Sequence, residues 1–108
     1  MKKKSLSAKK KIHNKLLINL KNPQIYNIYR DFNKFVKFNL NKSSFSVAVS
    51  GGTDSLTLAY FSKCYSIFNN IKVNYYHVDH GLRKESFLEA KKLKFLLKSF
   101  DINCKILK

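Results

Sequence analysis

Glycine, proline, cysteine and acidic residues are all scarce: three Gly, one Pro, two Cys and six Asp plus Glu in 108 residues, with no Trp. So little Gly and Pro excludes collagen-like and linker-type low-complexity chains. Cys64 and Cys104 lie far apart with no CxxC spacing, which excludes a disulfide framework and a zinc ribbon. Each sits in an apolar pattern and reads as a buried free thiol in a reducing compartment. No apolar run approaches membrane-spanning length, and the patch Leu16 to Leu20 is too short and broken for a secretory leader. The chain therefore reads as cytoplasmic.

What is abundant is lysine. Lys and Arg total 22 against the six acids, giving a net charge of +16 and a pI near 10. Such an excess points to an anionic partner: nucleic acid, nucleotide or a membrane surface. The bland alternative is compositional, since Lys, Asn, Ile, Phe and Tyr together are what an A+T-rich coding sequence yields. Only two of the 22 are arginine, the residue suited to specific phosphate forks. The length suits one small domain. With 44% hydrophobic residues, nine Phe and six Tyr, it can build a core.

Because glycine is rare, its placement carries information. Gly51, Gly52 and Gly81 all fall in two short polar loops, each following a strand-like run. The first, Phe45 to Ser55, reads FSVAVSGGTDS. A strand passing through a glycine pair into a helix leaves free backbone N–H groups at the helix N-terminus, and that is an anion site. Ser50 and Ser55 add hydroxyls, as can Thr53. The loop is neither a Walker A motif, which needs Lys where Asp54 stands, nor GxGxxG. A carboxylate in a phosphate cradle repels its ligand unless a cation lies between, so Asp54 suggests magnesium against pyrophosphate. The alternative is that Asp54 only caps the helix.

In chain order, residues 1–21 form a basic arm, with Met1 to about Lys11 disordered and a short helix over Ile12 to Leu20. Asn22-Pro23 signals a helix start. Ile25, Ile28, Tyr29, Phe32, Val36 and Leu40 then recur at helical spacing. Phe45 to Val49 reads as a buried parallel strand. Leu56, Ala59, Tyr60, Cys64 and Ile67 mark a helix ending near Asn69-Asn70. A strand over Lys72 to Val78 follows. Ser86 and Glu89 stand at capping-box spacing, and Phe87, Ala90, Leu93, Leu97 and Phe100 mark another helix. Asn103 to Leu107 opens a third strand. The fold class is α/β: a β-α-β-α-β parallel sheet of about three strands, preceded by an N-terminal helix. Both polar loops fall at the carboxyl ends of strands, where such sheets bind ligands.

The second loop, His77 to Arg83, reads HVDHGLR. Asp79 can hold a cation or orient a ribose, His77 or His80 can bind phosphate or move a proton, and Arg83 can stabilise charge on phosphate. A zinc site from His77, Asp79 and His80 is the rival; His80 lies past the bend from the other two, which disfavours it.

SGGTDS, Ser50 to Ser55, resembles the SGGxDS loop of the PP-loop ATP pyrophosphatases, which split ATP between the α and β phosphates. HVDHGLR with Ser86 and Glu89-Ala90 resembles the HVDHGLRxxSxxEA signature of bacterial tRNA(Ile)-lysidine synthases. The match spans about residues 44 to 90. The resemblance implies a Rossmann-type PP-loop domain of which residues 22–108 are the N-terminal portion, ending at the third strand. It implies a ligase that uses ATP and magnesium to join free L-lysine to the wobble cytidine of an isoleucine tRNA with a CAU anticodon. Carried over residue by residue, Ser50, Gly51, Gly52, Thr53 and Ser55 would cradle pyrophosphate and Asp54 would bind magnesium. Asp79, His80 and Arg83 would line the α-phosphate and acceptor side. Two alternatives stand beside it: another PP-loop tRNA modifier or amidotransferase, and a non-catalytic basic RNA-binding fragment.

Overall fold

A computed structural model describes residues 6–79, 81 and 85–108 of the chain. The order is α1 (Leu6–Ile18), a 3-10 turn (Asn19–Lys21), α2 (Pro23–Leu40), β1 (Phe45–Ala48), α3 (Thr53–Asn69), β2 (Val73–Val78), α4 (Glu85–Lys98) and β3 (Cys104–Leu107). The strands form one parallel sheet in the order β1-β2-β3. Phe45 pairs with Val73 at one end of the first ladder, and Val78 with Leu107 at the far end of the second.

The sequence signals account for most boundaries. Pro23 opens α2, and the Asn22 side chain accepts from the amides of Gln24 (2.9 Å) and Ile25 (3.4 Å). Asn41 and Asn70 end α2 and α3 in the left-handed region, with φ of 42° and 51°, where Asn is among the better tolerated side chains. Helix α1 begins at Leu6, well before the apolar spacing from Ile12 suggests. The added turn, Leu6 to Lys11, is rich in Lys with one Ala, residues that favour helix without needing a buried face. Helix α4 begins at Glu85, so Ser86 sits inside the first turn and not at the cap that its spacing with Glu89 predicts.

Two apolar clusters hold the elements together. Val47, Val49, Tyr75 and Cys104 of the sheet side pack with Ala59 of α3 and Leu93 and Leu97 of α4. Because both helices meet the same alternate strand residues, they cover the same sheet face. On the other face Ser46, Ala48, Val78, Lys105 and Leu107 are exposed. The second cluster joins Leu20, Tyr29 and Val36 to Phe61, Cys64 and Tyr65 of α3. Both thiols are free and buried, and burial pushes the Cys64 thiol up to about 11. Two positions of the helical spacing depart from expectation. Ile28 is 58% exposed and Phe87 is 50% exposed, the latter under the ammonium of Lys91 at 4.6 Å.

One polar tie joins the N-terminal helix to the turn before β3. Nε2 of His13 lies 2.8 Å from Oδ2 of Asp101, and Nζ of Lys63 lies 3.4 Å from the same oxygen. Burial raises the Asp101 pKa, but the His13 hydrogen bond and the Lys63 charge outweigh it and the net shift is downward. A lowered carboxyl pKa stabilises the fold above the unfolded value of about 4, and that contribution is lost as pH falls through the lower folded value. Asp101→Asn keeps a residue tolerant of φ 58° while removing the charge. It is expected to lower the melting temperature at pH 7, with the gap to wild type closing in acid below the folded pKa. Thermal melts across pH 2 to 7, a range of roughly five units spanning the carboxyl titration, measure this. A gap that stays constant with pH would assign the effect to the turn and not to the charge.

Candidate functional site

The site is built where β1 gives way to α3. Gly51 has φ 96°, a conformation in which any side chain is strained, whereas Gly52 has φ −73° and ψ 163° and occupies the N-cap of α3. Gly52 has no side chain to offer, and no side-chain hydrogen bond caps the helix. Asp54 stands in the first turn, exposed, so capping does not explain its presence. Among the described residues the amides of Gly51, Thr53, Asp54 and Ser55 have no hydrogen-bond partner, while the Leu56 amide begins the helical series on the Gly52 carbonyl at 3.0 Å. Open amides at the positive end of a 17-residue helix make a cradle for an anion.

The two serine hydroxyls hold this loop rather than stand free. Ser55 Oγ donates to the Gly52 carbonyl (3.0 Å) and accepts from the Ser50 amide (3.1 Å). That leaves the Ser50 hydroxyl as the donor in the 3.0 Å contact between the two oxygens, and Ser50 Oγ also accepts from the Gly52 amide at 3.3 Å. The network closes the turn with its glycines in place. Ligand-facing donors are therefore the backbone amides, unless Ser55 releases its carbonyl partner.

The second polar loop arrives at the same sheet edge. Asp79 follows β2; its amide donates to the Leu107 carbonyl at 2.7 Å and its Oδ1 accepts from the Gly81 amide at 3.0 Å, closing an Asx turn. Gly81 has φ 67°. A cavity of about 400 Å³ lies between the loops, and Ser50 and Ser55 from one side meet His77 and Asp79 from the other, with Ser86 and Glu89 of α4. A neighbouring cavity of about 340 Å³ is lined by Gly51, Leu56 and Lys92 and shares Ser50, His77 and Glu89 with the first. Gly52, Thr53 and Asp54 line neither cavity and are exposed at the start of α3. His80 and Arg83, the remaining sequence-predicted site residues, lie outside the described residues.

A family profile described as the PP-loop domain matches residues 24–108. The chain belongs to the PP-loop family of ATP-binding domains. Curated relatives agree over a shorter stretch. The tRNA(Ile)-lysidine synthase of Rickettsia akari (strain Hartford) is 44% identical over 52 residues, covering 48% of this chain and 12% of that protein. That of Rickettsia rickettsii (strain Sheila Smith) is 42% identical over 52 residues, 48% of this chain and 11% of the relative. That of Chlamydia caviae is 43% identical over 53 residues, 49% of this chain and 16% of the relative. The aligned segment thus spans less than a fifth of each relative's length.

In this PP-loop domain the open amides at the start of α3 belong to the same loop whose Ser50, Gly51 and Ser55 line the cavities. His77, weighed from the sequence for phosphate binding or proton transfer, instead bonds the Val49 carbonyl through Nδ1 at 2.7 Å. Nothing in the local pattern announces a contact between residues 28 apart. Ser86 and Glu89 read as a helix cap, yet both line the cavity, a placement signalled only by their position in the longer motif. Among the described residues no three His, Cys, Asp or Glu side chains cluster to hold a metal ion, and His80 of the weighed zinc triad lies outside them.

Proposed function

We propose that this domain binds ATP between its two polar loops and serves a ligase that joins lysine to the wobble cytidine of isoleucine tRNA with a CAU anticodon. The observation that carries the reading is the row of unpartnered amides at Gly51, Thr53, Asp54 and Ser55 on the sheet edge that also bears Asp79. Three relatives named for this activity support it over the matched segment.

In the proposed reaction the cytosine 2-oxygen attacks the α-phosphorus of ATP, the bond to the bridging oxygen breaks, and pyrophosphate leaves. The lysine ε-amine, as the free base, then attacks C2 of the activated base and AMP departs with the former cytosine oxygen. The open amides of Gly51, Thr53, Asp54 and Ser55 hold the leaving pyrophosphate, stabilising charge that grows as the bond breaks. The Ser55 hydroxyl joins them if it turns from the Gly52 carbonyl. Asp79, His80 and Arg83 take the α-phosphate and acceptor side. A magnesium ion fits the donor set: one exposed carboxylate, Asp54, beside a phosphate cradle matches a cation held through few protein ligands, substrate phosphates and water. Bound there, it would neutralise phosphate charge.

The test is an assay of the product of this gene with ATP, magnesium, tRNA and labelled lysine. Lysine incorporation with stoichiometric release of AMP and pyrophosphate is expected. Consumption of ammonia in place of lysine would favour an amidotransferase. RNA binding that weakens steeply with salt and ignores ATP would leave a basic RNA-binding module, for which the +16 charge is the supporting observation.

A further inference from the structure

The ladder between β1 and β2 ends at Val49. Its amide donates to the Tyr76 carbonyl at 2.7 Å, while its carbonyl takes its hydrogen bond from the imidazole of His77, also at 2.7 Å, and from no described backbone amide. A carbonyl has no proton to give, so Nδ1 carries the hydrogen and in the neutral ring Nε2 is bare. Val49 is only 2% exposed with the ring in place and lines the same cavity as His77, so removing the ring trades a directed donor for mobile cavity water. The next residue is Ser50, whose amide and hydroxyl begin the network that closes the glycine turn.

We infer that His77 is a positioning residue: donation from Nδ1 to the Val49 carbonyl fixes the direction in which the Ser50–Gly52 turn leaves the sheet, and with it the aim of the open amides. That the amides are aimed at phosphate rests on the ATP-binding reading; the bond and its effect on the turn do not. Protonating His77 leaves Nδ1–H in place, so positioning persists in either charge state. A role for Nε2 as an acceptor toward ligand would vanish on protonation. Among the described residues, the charged groups lining the cavities with His77 are Asp79 after β2 and Glu89 and Lys92 of α4.

Three variants of the whole chain separate these roles. His77→Asn places an amide N–H near the position of Nδ1, His77→Gln reaches the position of Nε2, and His77→Phe keeps a ring without either nitrogen. Long-range nitrogen NMR of the wild-type ring is expected to show hydrogen on Nδ1; hydrogen on Nε2 with bare Nδ1 would overturn the inference whatever the variants do. Hydrogen exchange at the Ser50 and Gly52 amides, the two that the loop's hydroxyls hold, is expected to quicken roughly tenfold in His77→Phe and His77→Gln and to stay within about threefold of wild type in His77→Asn. ATP affinity with magnesium should follow the same order. Exchange in His77→Phe equal to wild type, or rescue by Gln and not Asn, would sink the positioning role. If wild type shows the expected tautomer and exchange pattern but binds no ATP, positioning stands and the ATP reading falls.

Discussion

Gly51→Val is expected to weaken ATP binding in the presence of magnesium by more than roughly tenfold, with a drop in melting temperature. A β-branched side chain at φ 96° is strained even though space is not the obstacle: the nearest atom a Cβ would meet, on Leu93, is 4.0 Å away. Strain of this kind costs about 1–3 kcal/mol, and each 1.4 kcal/mol is about a factor of ten. The loop must either bear the strain or flip out of the conformation that lines up its amides. Gly52→Ala is the control, because φ −73° suits any residue and the added carbon would sit 3.6 Å from Ser50 Oγ, an ordinary contact. Its stability should stay near wild type, so any lost affinity there measures crowding of the ligand. Isothermal titration with ATP and thermal melts read both effects. A Gly51→Val chain that binds ATP like wild type would mean the turn conformation is irrelevant to binding.

Asp54→Ala is expected to reverse sign with the metal. With magnesium present, losing the carboxylate should weaken ATP binding by about ten- to a hundredfold, since one of the few protein ligands is gone. With magnesium chelated, the same variant should bind ATP or pyrophosphate more tightly than wild type, because a negative charge beside the phosphate cradle has been removed. The crossover is the informative feature. A generic loss of folding would lower affinity in both conditions, and an uninvolved exposed residue would change neither. Equal magnesium dependence in variant and wild type would remove the metal role proposed for Asp54.

Much of this was legible in the sequence because it is local. The Asn22-Pro23 start, the Asn69-Asn70 end of α3, and the glycine turn after Val49 each follow from the chemistry of one or two residues. The parallel order followed from two crossovers of helix length, and with it the placing of both polar loops on one edge. Contacts between distant segments were not legible. The His77 to Val49 bond and the tie of His13 and Lys63 to Asp101 join residues 28, 88 and 38 apart. Periodicity also could not say how wide the buried stripe is: Ile28 and Phe87 keep helical spacing, yet both face solvent while Tyr29 and Ala90 are buried. Nor could loop composition show that the Ser50 and Ser55 hydroxyls bind each other first, leaving the amides as the open donors.

The decisive measurement is backbone amide NMR of the labelled chain during titration with ATP and magnesium at moderate salt. Saturable shifts should concentrate at Gly51, Thr53, Asp54 and Ser55, with a second group at Asp79 and Gly81 moving at the same ligand concentration. Shifts scattered over the lysine-rich surface, not saturating and fading with added salt, while the Ser50 to Ser55 turn stays still, would contradict a shared nucleotide site between the two loops.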